Sequence, residues 1–146
     1  MRRKQEEPVV AGYSSTPQAR KLGLKPGYRL RIDQPPEGWA LDHPPLDLLV
    51  VEETEAADVV LSFFRTAAEL PLRLPALAAG IYPEGALWIA WPRRAGGHRS
   101  DITENLLREQ ALPLGIVDVK VAALDDNWSA LRFVWRVENR PPAQKR

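Results

Sequence analysis

The chain of 146 residues carries 20 Lys and Arg against 19 Asp and Glu, a net charge of +1, with fourteen Pro, five Trp, two His and no Cys. This length, with 45% apolar residues, suits one globular domain that buries roughly two thirds of the surface its unfolded chain exposes. The even balance excludes a general nucleic-acid coat, the lack of Cys excludes disulfides, thiol nucleophiles and zinc knuckles, and two His speak against a His-based metal centre.

The start, Met1-Arg2-Arg3-Lys4-Gln5-Glu6-Glu7, leads into no signal core, and no apolar run reaches the ~18 residues of a membrane span. A cytoplasmic protein with no membrane partner is expected. Residues 1–10 read as a disordered tail, 11–138 as a single α/β domain, and 139–146 as a second disordered tail, since both ends lack an apolar period.

Pro26-Gly27 signals a turn, and Tyr28-Arg29-Leu30-Arg31-Ile32 alternates as a half-buried strand does. After the Pro-rich stretch Gln34-Pro35-Pro36-Glu37-Gly38-Trp39, residues 46–51 form a second apolar run. Val59-Val60-Leu61-Ser62-Phe63-Phe64 is continuously apolar and predicts a central strand buried on both faces. About six residues separate these two runs, too few for a parallel crossover, so one of the two strands should be antiparallel or very short.

Thr66-Ala67-Ala68-Glu69 is a capping box, and Pro71 and Pro75 predict a helix that is kinked or in two pieces up to Gly80. Ala86-Leu87-Trp88-Ile89-Ala90-Trp91 is a third firm strand. Asp101 and Glu104 can cap the next helix, with Ile102, Leu106 and Ala111 inward. Val117, Val119, Val121 and Ala123, then Leu131, Phe133, Trp135 and Val137, alternate on either side of Asp125-Asp126-Asn127 and predict a hairpin with one buried face. A turn centred on Asn127 would set Asp118 opposite Arg136. These elements predict a three-layer Rossmann-like α/β domain: a mainly parallel sheet closed by a C-terminal antiparallel hairpin.

In such sheets ligands bind at loops leaving the carboxyl ends of strands. The 33–38 loop has one Gly, and Pro35 and Pro36 offer no amide to a phosphate, which disfavours a nucleotide cradle. The 91–103 segment is the better candidate. Arg93, Arg94 and Arg99 sit beside Gly96 and Gly97, with His98 as a possible acid or base, and Trp91, Asp101 and Thr103 flank them before a helix start. Guanidinium groups, free amides and a helix dipole favour an anion there. Its alternative is a basic surface loop. Asp118, Asp125 and Asp126 fit no regular cation loop, and turn formation is the simpler role of the last two. No catalytic residue, cofactor or metal ligand is assigned.

The signatures Ala11-Gly12-Tyr13-Ser14-x-Thr16-Pro17, Lys21-Leu22-Gly23, Trp91-Pro92-Arg93-Arg94, Asp101-Ile102-Thr103-Glu104, Gly115-x-Val117-Asp118-x-Lys120-Val121 and Asp125-x-x-Trp128-Ser129 resemble a bacterial family of small proteins known as a domain of unknown function. That resemblance spans residues 11–138 and implies a soluble stand-alone protein without an assigned activity. Arg93-Arg94 stands where the family has Lys-Lys, and Gly96-Gly97 where it has a Ser-Gly-like pair. More distantly, Asp58-Val59-Val60-Leu61 and Leu77-x-x-Gly80-Ile81-Tyr82-Pro83-x-Gly85-x-Leu87 are similar to the later half of a class I methyltransferase. The glycine-rich cofactor loop of that fold is not matched by residues 33–38.

The sequence therefore favours a non-catalytic interaction or regulatory domain whose 93–99 loop takes an anionic small molecule or a protein partner. A divergent methyltransferase-like enzyme or small-ligand binder is the alternative. Nucleic-acid binding is a more remote one, given the near-neutral charge.

Overall fold

A computed structural model describes residues 17–142. Six strands make one sheet in the order β2-β1-β3-β4-β6-β5. They are β1 (Arg29–Asp33), β2 (Leu49–Val50), β3 (Val59–Phe63), β4 (Ala86–Pro92), β5 (Ile116–Ala123) and β6 (Trp128–Trp135). The first four run parallel, whereas β6 is antiparallel to both β4 and β5. Helices α2 (Leu70–Gly80) and α3 (Glu104–Ala111) cover one face. The other carries α1 (Gln18–Lys21) and the 34–48 loop, through Leu22, Trp39, Leu41 and Leu48. This is the mixed α/β architecture the periodicities imply. The Gly12-Tyr13-Ser14 signature lies outside the described residues.

Every residue of β3 is buried, Ser62 included, as its mostly apolar run predicts for a strand covered on both faces. Val60 faces the α2–α3 side, while Val59, Leu61 and Phe63 face the α1 side. Phe63 is gripped edge-on by Trp39 and Trp128 at ring-centre distances of 5.1 and 4.9 Å. Trp88 is fully buried and donates its indole N–H to the Leu22 carbonyl at 3.1 Å. A buried Trp thus keeps its polar atom satisfied while it fixes the segment after α1.

Strand β2 is very short, two residues, and it runs parallel to β1. The short return to β3 is possible because β2 pairs only with the start of β1: the Val51 amide reaches the Leu30 carbonyl, and the Asp58 amide reaches that of Arg29. The chain therefore never travels the length of a full strand. A single turn of 3-10 helix, Ala67–Glu69, precedes α2, with Glu69 accepting from the Thr66 amide at 2.8 Å. Pro71 sits at the helix start, where no amide is needed, and Pro75 is carried inside the helix.

The hairpin corrects two expectations. Its register places Asp118 opposite Phe133 rather than Arg136, because the ladder is centred nearer Asp126 and shifts at Val119, between Asp118 and Lys120. Asp118 instead takes the Arg108 guanidinium from α3 at 2.9 Å, and Arg136 lies 3.5 Å from Glu138. Val119 and Val121 are half exposed on this edge strand, so β5 sends Ile116, opposite Trp135, into the core that holds Leu131 and Phe133 of β6. Val137, expected inward, is exposed in a 3-10 turn. Beyond it the Asn139 amide group donates to the Gly115 carbonyl, and Arg140 donates twice to that of Trp135.

Candidate functional site

The 91–103 segment leaves β4 at its carboxyl end and enters α3. Its residues divide into those that build the loop and those that face outward. Trp91 belongs to the core under α2 and α3 and is 8% exposed. Arg93 is buried, its amide bonded to the Asn127 carbonyl at 2.8 Å and its guanidinium directed at the Asp126 carbonyl at 3.5 Å. A Cβ on Gly96 would collide with that same Asp126 carbonyl. The missing side chain there admits the hairpin turn, not a ligand. Gly97 adopts a left-handed φ of +89°, which closes the short 3-10 turn Arg94–Gly96. His98 Nε2 lies 2.8 Å from Asn127 Oδ1.

The turn that receives this loop is itself an Asx-type turn. Asp125 Oδ1 accepts from the Asn127 and Trp128 amides at 2.8 and 2.9 Å, and its other oxygen takes the Trp39 indole N–H at 3.2 Å. Asp125-Asp126-Asn127 is therefore a turn, as its composition implies. Among the described residues no group of three or more His, Cys, Asp or Glu could hold a metal ion.

The capping roles at the far end differ from those expected. Thr103, not Asp101, caps α3, its hydroxyl accepting the Leu106 amide at 3.1 Å. Asp101 reaches back to the other helix and accepts the Ala67 amide at 2.9 Å. What remains outward is Arg94, Gly97, His98, Arg99 and Ser100 around an open hollow of about 540 Å³. A smaller groove of about 340 Å³ runs from Arg94 to Thr103 and Glu104. Arg94 and Arg99 are exposed, and neither has an ion-pair partner among the described residues.

A second constellation was not legible as a motif. The strand order reverses between β1 and β3, the point at which open α/β sheets accept ligands. Here side chains of the protein hydrogen-bond to one another at that crevice. Asp33, at the end of β1, accepts from the Ser62 hydroxyl of β3 and from Arg73 Nη2 of α2, both at 2.6 Å. Arg73 also donates to the Phe63 carbonyl at 2.9 Å and to Glu69 at 2.6 Å, with its guanidinium 3.9 Å from the Phe64 ring centre. Across the top, Arg65 donates to the Gln34 carbonyl at 2.8 Å and ties the two diverging loops together.

Electrostatics follow from this wiring. Burial raises the Asp33 carboxyl, but the Ser62 and Arg73 hydrogen bonds and the charges of Arg73 and Arg31 outweigh it and leave its pKa below the ordinary value. Glu69 is likewise raised by burial and lowered further by the Thr66 and Arg65 amides, Arg73 and the Thr66 hydroxyl, ending below its ordinary value.

No family model matches the chain, and no curated protein matches it. Among solved structures it is similar to a protein of the NADB-Rossmann superfamily from Streptococcus agalactiae, at 11% identity and a TM-score of 0.46 over 92% of this chain and 74% of that one. A fibrillarin pre-rRNA processing protein from Methanococcus jannaschii gives 12% and 0.45 over 85% and 70%. LepI in complex with SAH and a substrate analogue gives 14% and 0.46 over 81% of this chain and 39% of that one, so the chain spans about two fifths of LepI. The fold is Rossmann-like. Its strand order and mostly parallel sheet carry that statement, and at these identities the likeness concerns fold alone. No helix among the described residues is long and apolar enough to cross a membrane.

Proposed function

We propose that this chain is a non-catalytic binding domain on a Rossmann-like frame, and that its 94–100 loop takes an anionic group of a small molecule or a protein partner. The non-catalytic part rests on the hydrogen-bonded side chains at the β1–β3 crevice. A nucleotide or methyl-donor cofactor in this fold needs the space between the ends of β1 and β3, where Asp33, Ser62 and Arg73 hydrogen-bond to one another at 2.6–2.9 Å. The adjoining turn contributes Pro35 and Pro36, which have no amide to offer, and Gln34, whose carbonyl is taken by Arg65. The residues present do not fit such a cofactor.

What supports an anion at the loop is its charge and its scaffold. Arg94 and Arg99 line one hollow of about 540 Å³, and a guanidinium without a carboxylate partner is suited to a phosphate or carboxylate. The loop is held by bonds from Arg93 and His98 to the hairpin turn and by the close approach of Gly96 to Asp126, so little ordering is required on binding. Amide chemical shifts followed by NMR during titration with inorganic phosphate and with citrate test this. Perturbations at Arg94, Gly97, His98 and Arg99 that vanish in the R94Q/R99Q variant are expected. Unmoved loop amides at millimolar anion overturn the anion-binding role, and stabilisation of the fold by adenosyl-methionine overturns the non-catalytic one.

A further inference from the structure

A larger hollow, about 600 Å³, opens elsewhere on the molecule, between α1, the turn that follows α2, the first residues of β3 and β4, and the β5–β6 ladder. Five cations line it, Arg20, Lys21, Lys25, Lys120 and Arg132, against two carboxylates, Asp58 and Glu84. The Asp58 carboxylate is already engaged, accepting the Arg29 amide at 2.8 Å. An excess of positive charge is thus concentrated in one concavity of a chain whose net charge is +1.

The arrangement is costly without a counter-charge. Lys120 and Arg132 are direct partners across the β5–β6 ladder, where like charges repel. Neither they nor Arg20 and Lys25 have an ion-pair partner among the described residues. Lys21 donates to the Ala123 carbonyl at 2.7 Å. Burial and then the charges of Arg93 and Lys120 hold its ammonium below the ordinary value, with Asp125 opposing. A positive field therefore persists in the hollow, which an anion would relieve.

We propose that this hollow binds a small molecule carrying two or more phosphate groups, with Lys120 and Arg132 taking one phosphate and Arg20 and Lys25 the next. Two separate pairs of cations, one on the sheet and one around α1, suit a polyphosphate better than a single phosphate or a lone carboxylate. The volume falls in the range of small-ligand sites. Tyr28 and the exposed Tyr82 in the lining offer aromatic surface for the remainder of such a molecule. Nucleic acid is disfavoured because the cations converge in a concavity that also holds Glu84, instead of lying along an exposed track.

Isothermal titration with sodium pyrophosphate at low ionic strength, beside inorganic phosphate, is the test. Pyrophosphate should bind at least about tenfold more tightly than phosphate, and K120Q/R132Q should weaken it by about tenfold or more. R94Q/R99Q should leave that affinity unchanged. The ligand-free K120Q protein should melt about 2 °C higher, since a repulsive cross-strand pair is removed, so weaker binding there is not unfolding. Should K120Q/R132Q fail to fold, R20Q/K25Q, both at exposed positions, carries the same expectation. No heat with millimolar pyrophosphate, equal affinity for phosphate, unchanged affinity in the variants, or displacement of pyrophosphate by a short DNA duplex at lower concentration would each overturn the proposal.

Discussion

Arg73 Nη2 on α2 lies 2.6 Å from Asp33 Oδ2 at the end of β1, a bond across 40 residues of chain. It joins the helix layer to the sheet at the point where the strand order reverses. The pair is partly buried, the two side chains keeping 21% and 15% of their exposure. Removing one partner strands the other near the core. We expect R73A to lose about 2 kcal/mol of stability, below the 3–5 kcal/mol of a fully buried pair because solvent still screens this one. The urea midpoint measures it, and R73K should recover less than half, since an ammonium cannot hold Asp33, Ser62, Glu69 and the Phe63 carbonyl together.

The same carboxylates set a pH dependence. Asp33 and Glu69 both have folded-state pKa values below their ordinary ones. Between the folded and unfolded values the unfolded chain binds more protons, so stability rises with pH in that window. Their contribution is complete above the unfolded carboxylate range, roughly pH 4 to 5, and is lost as pH falls through the lower folded values. Denaturation midpoints at pH 7, 5, 4 and 3 should therefore decline below roughly pH 4, and D33N and E69Q should each flatten the decline. A D33N profile parallel to that of the parent protein would show that this carboxylate does not contribute.

The fold was legible where periodicity and burial agree. β3 and β4 announce themselves as strongly apolar runs because both of their faces are covered, and the capping box at Thr66 and Glu69 works as its spacing implies. The crevice was not legible. Asp33, Ser62 and Arg73 are unremarkable letters far apart in sequence, and only the register of β1 with β3, Asp33 against Ser62, brings them together. The hairpin pairing failed for a related reason. A hairpin centred on Asp126 instead of Asn127, with a further one-residue shift on an edge strand, leaves no mark in composition, yet together they set Asp118 opposite Phe133 and not Arg136.

Thr103 and Asp101 separate structural from ligand roles in the candidate loop. Thr103 holds the Leu106 amide and Asp101 the Ala67 amide. T103A and D101A should each cost about 1 kcal/mol, the ordinary worth of a helix-capping bond. In the D101A protein the loss belongs to the turn before α2, so hydrogen exchange should quicken at Ala67 rather than within α3. Exchange quickening only in α3 would assign Asp101 to its own helix instead.

Gly96 offers the sharpest test of what anchors the loop. Its backbone lies so close to the Asp126 carbonyl that an added Cβ would collide with it, whereas a Cβ at Gly97 would meet nothing within 4 Å. The two glycines therefore fail differently. G96A must push the 93–98 loop off the hairpin turn, straining the Arg93 amide bond to the Asn127 carbonyl and the His98 bond to Asn127. Its expected cost is about 2 kcal/mol, typical of overpacking at backbone that cannot yield. G97A keeps those bonds but places a side chain at a φ of +89°, a left-handed strain of about 1 kcal/mol. Unfolding curves give both numbers, and the amide shifts of Asn127 and Trp128 distinguish the causes: they should move in G96A and stay in G97A. If G96A unfolds like the parent protein with those amides unmoved, the hairpin turn is not what holds the basic loop in place.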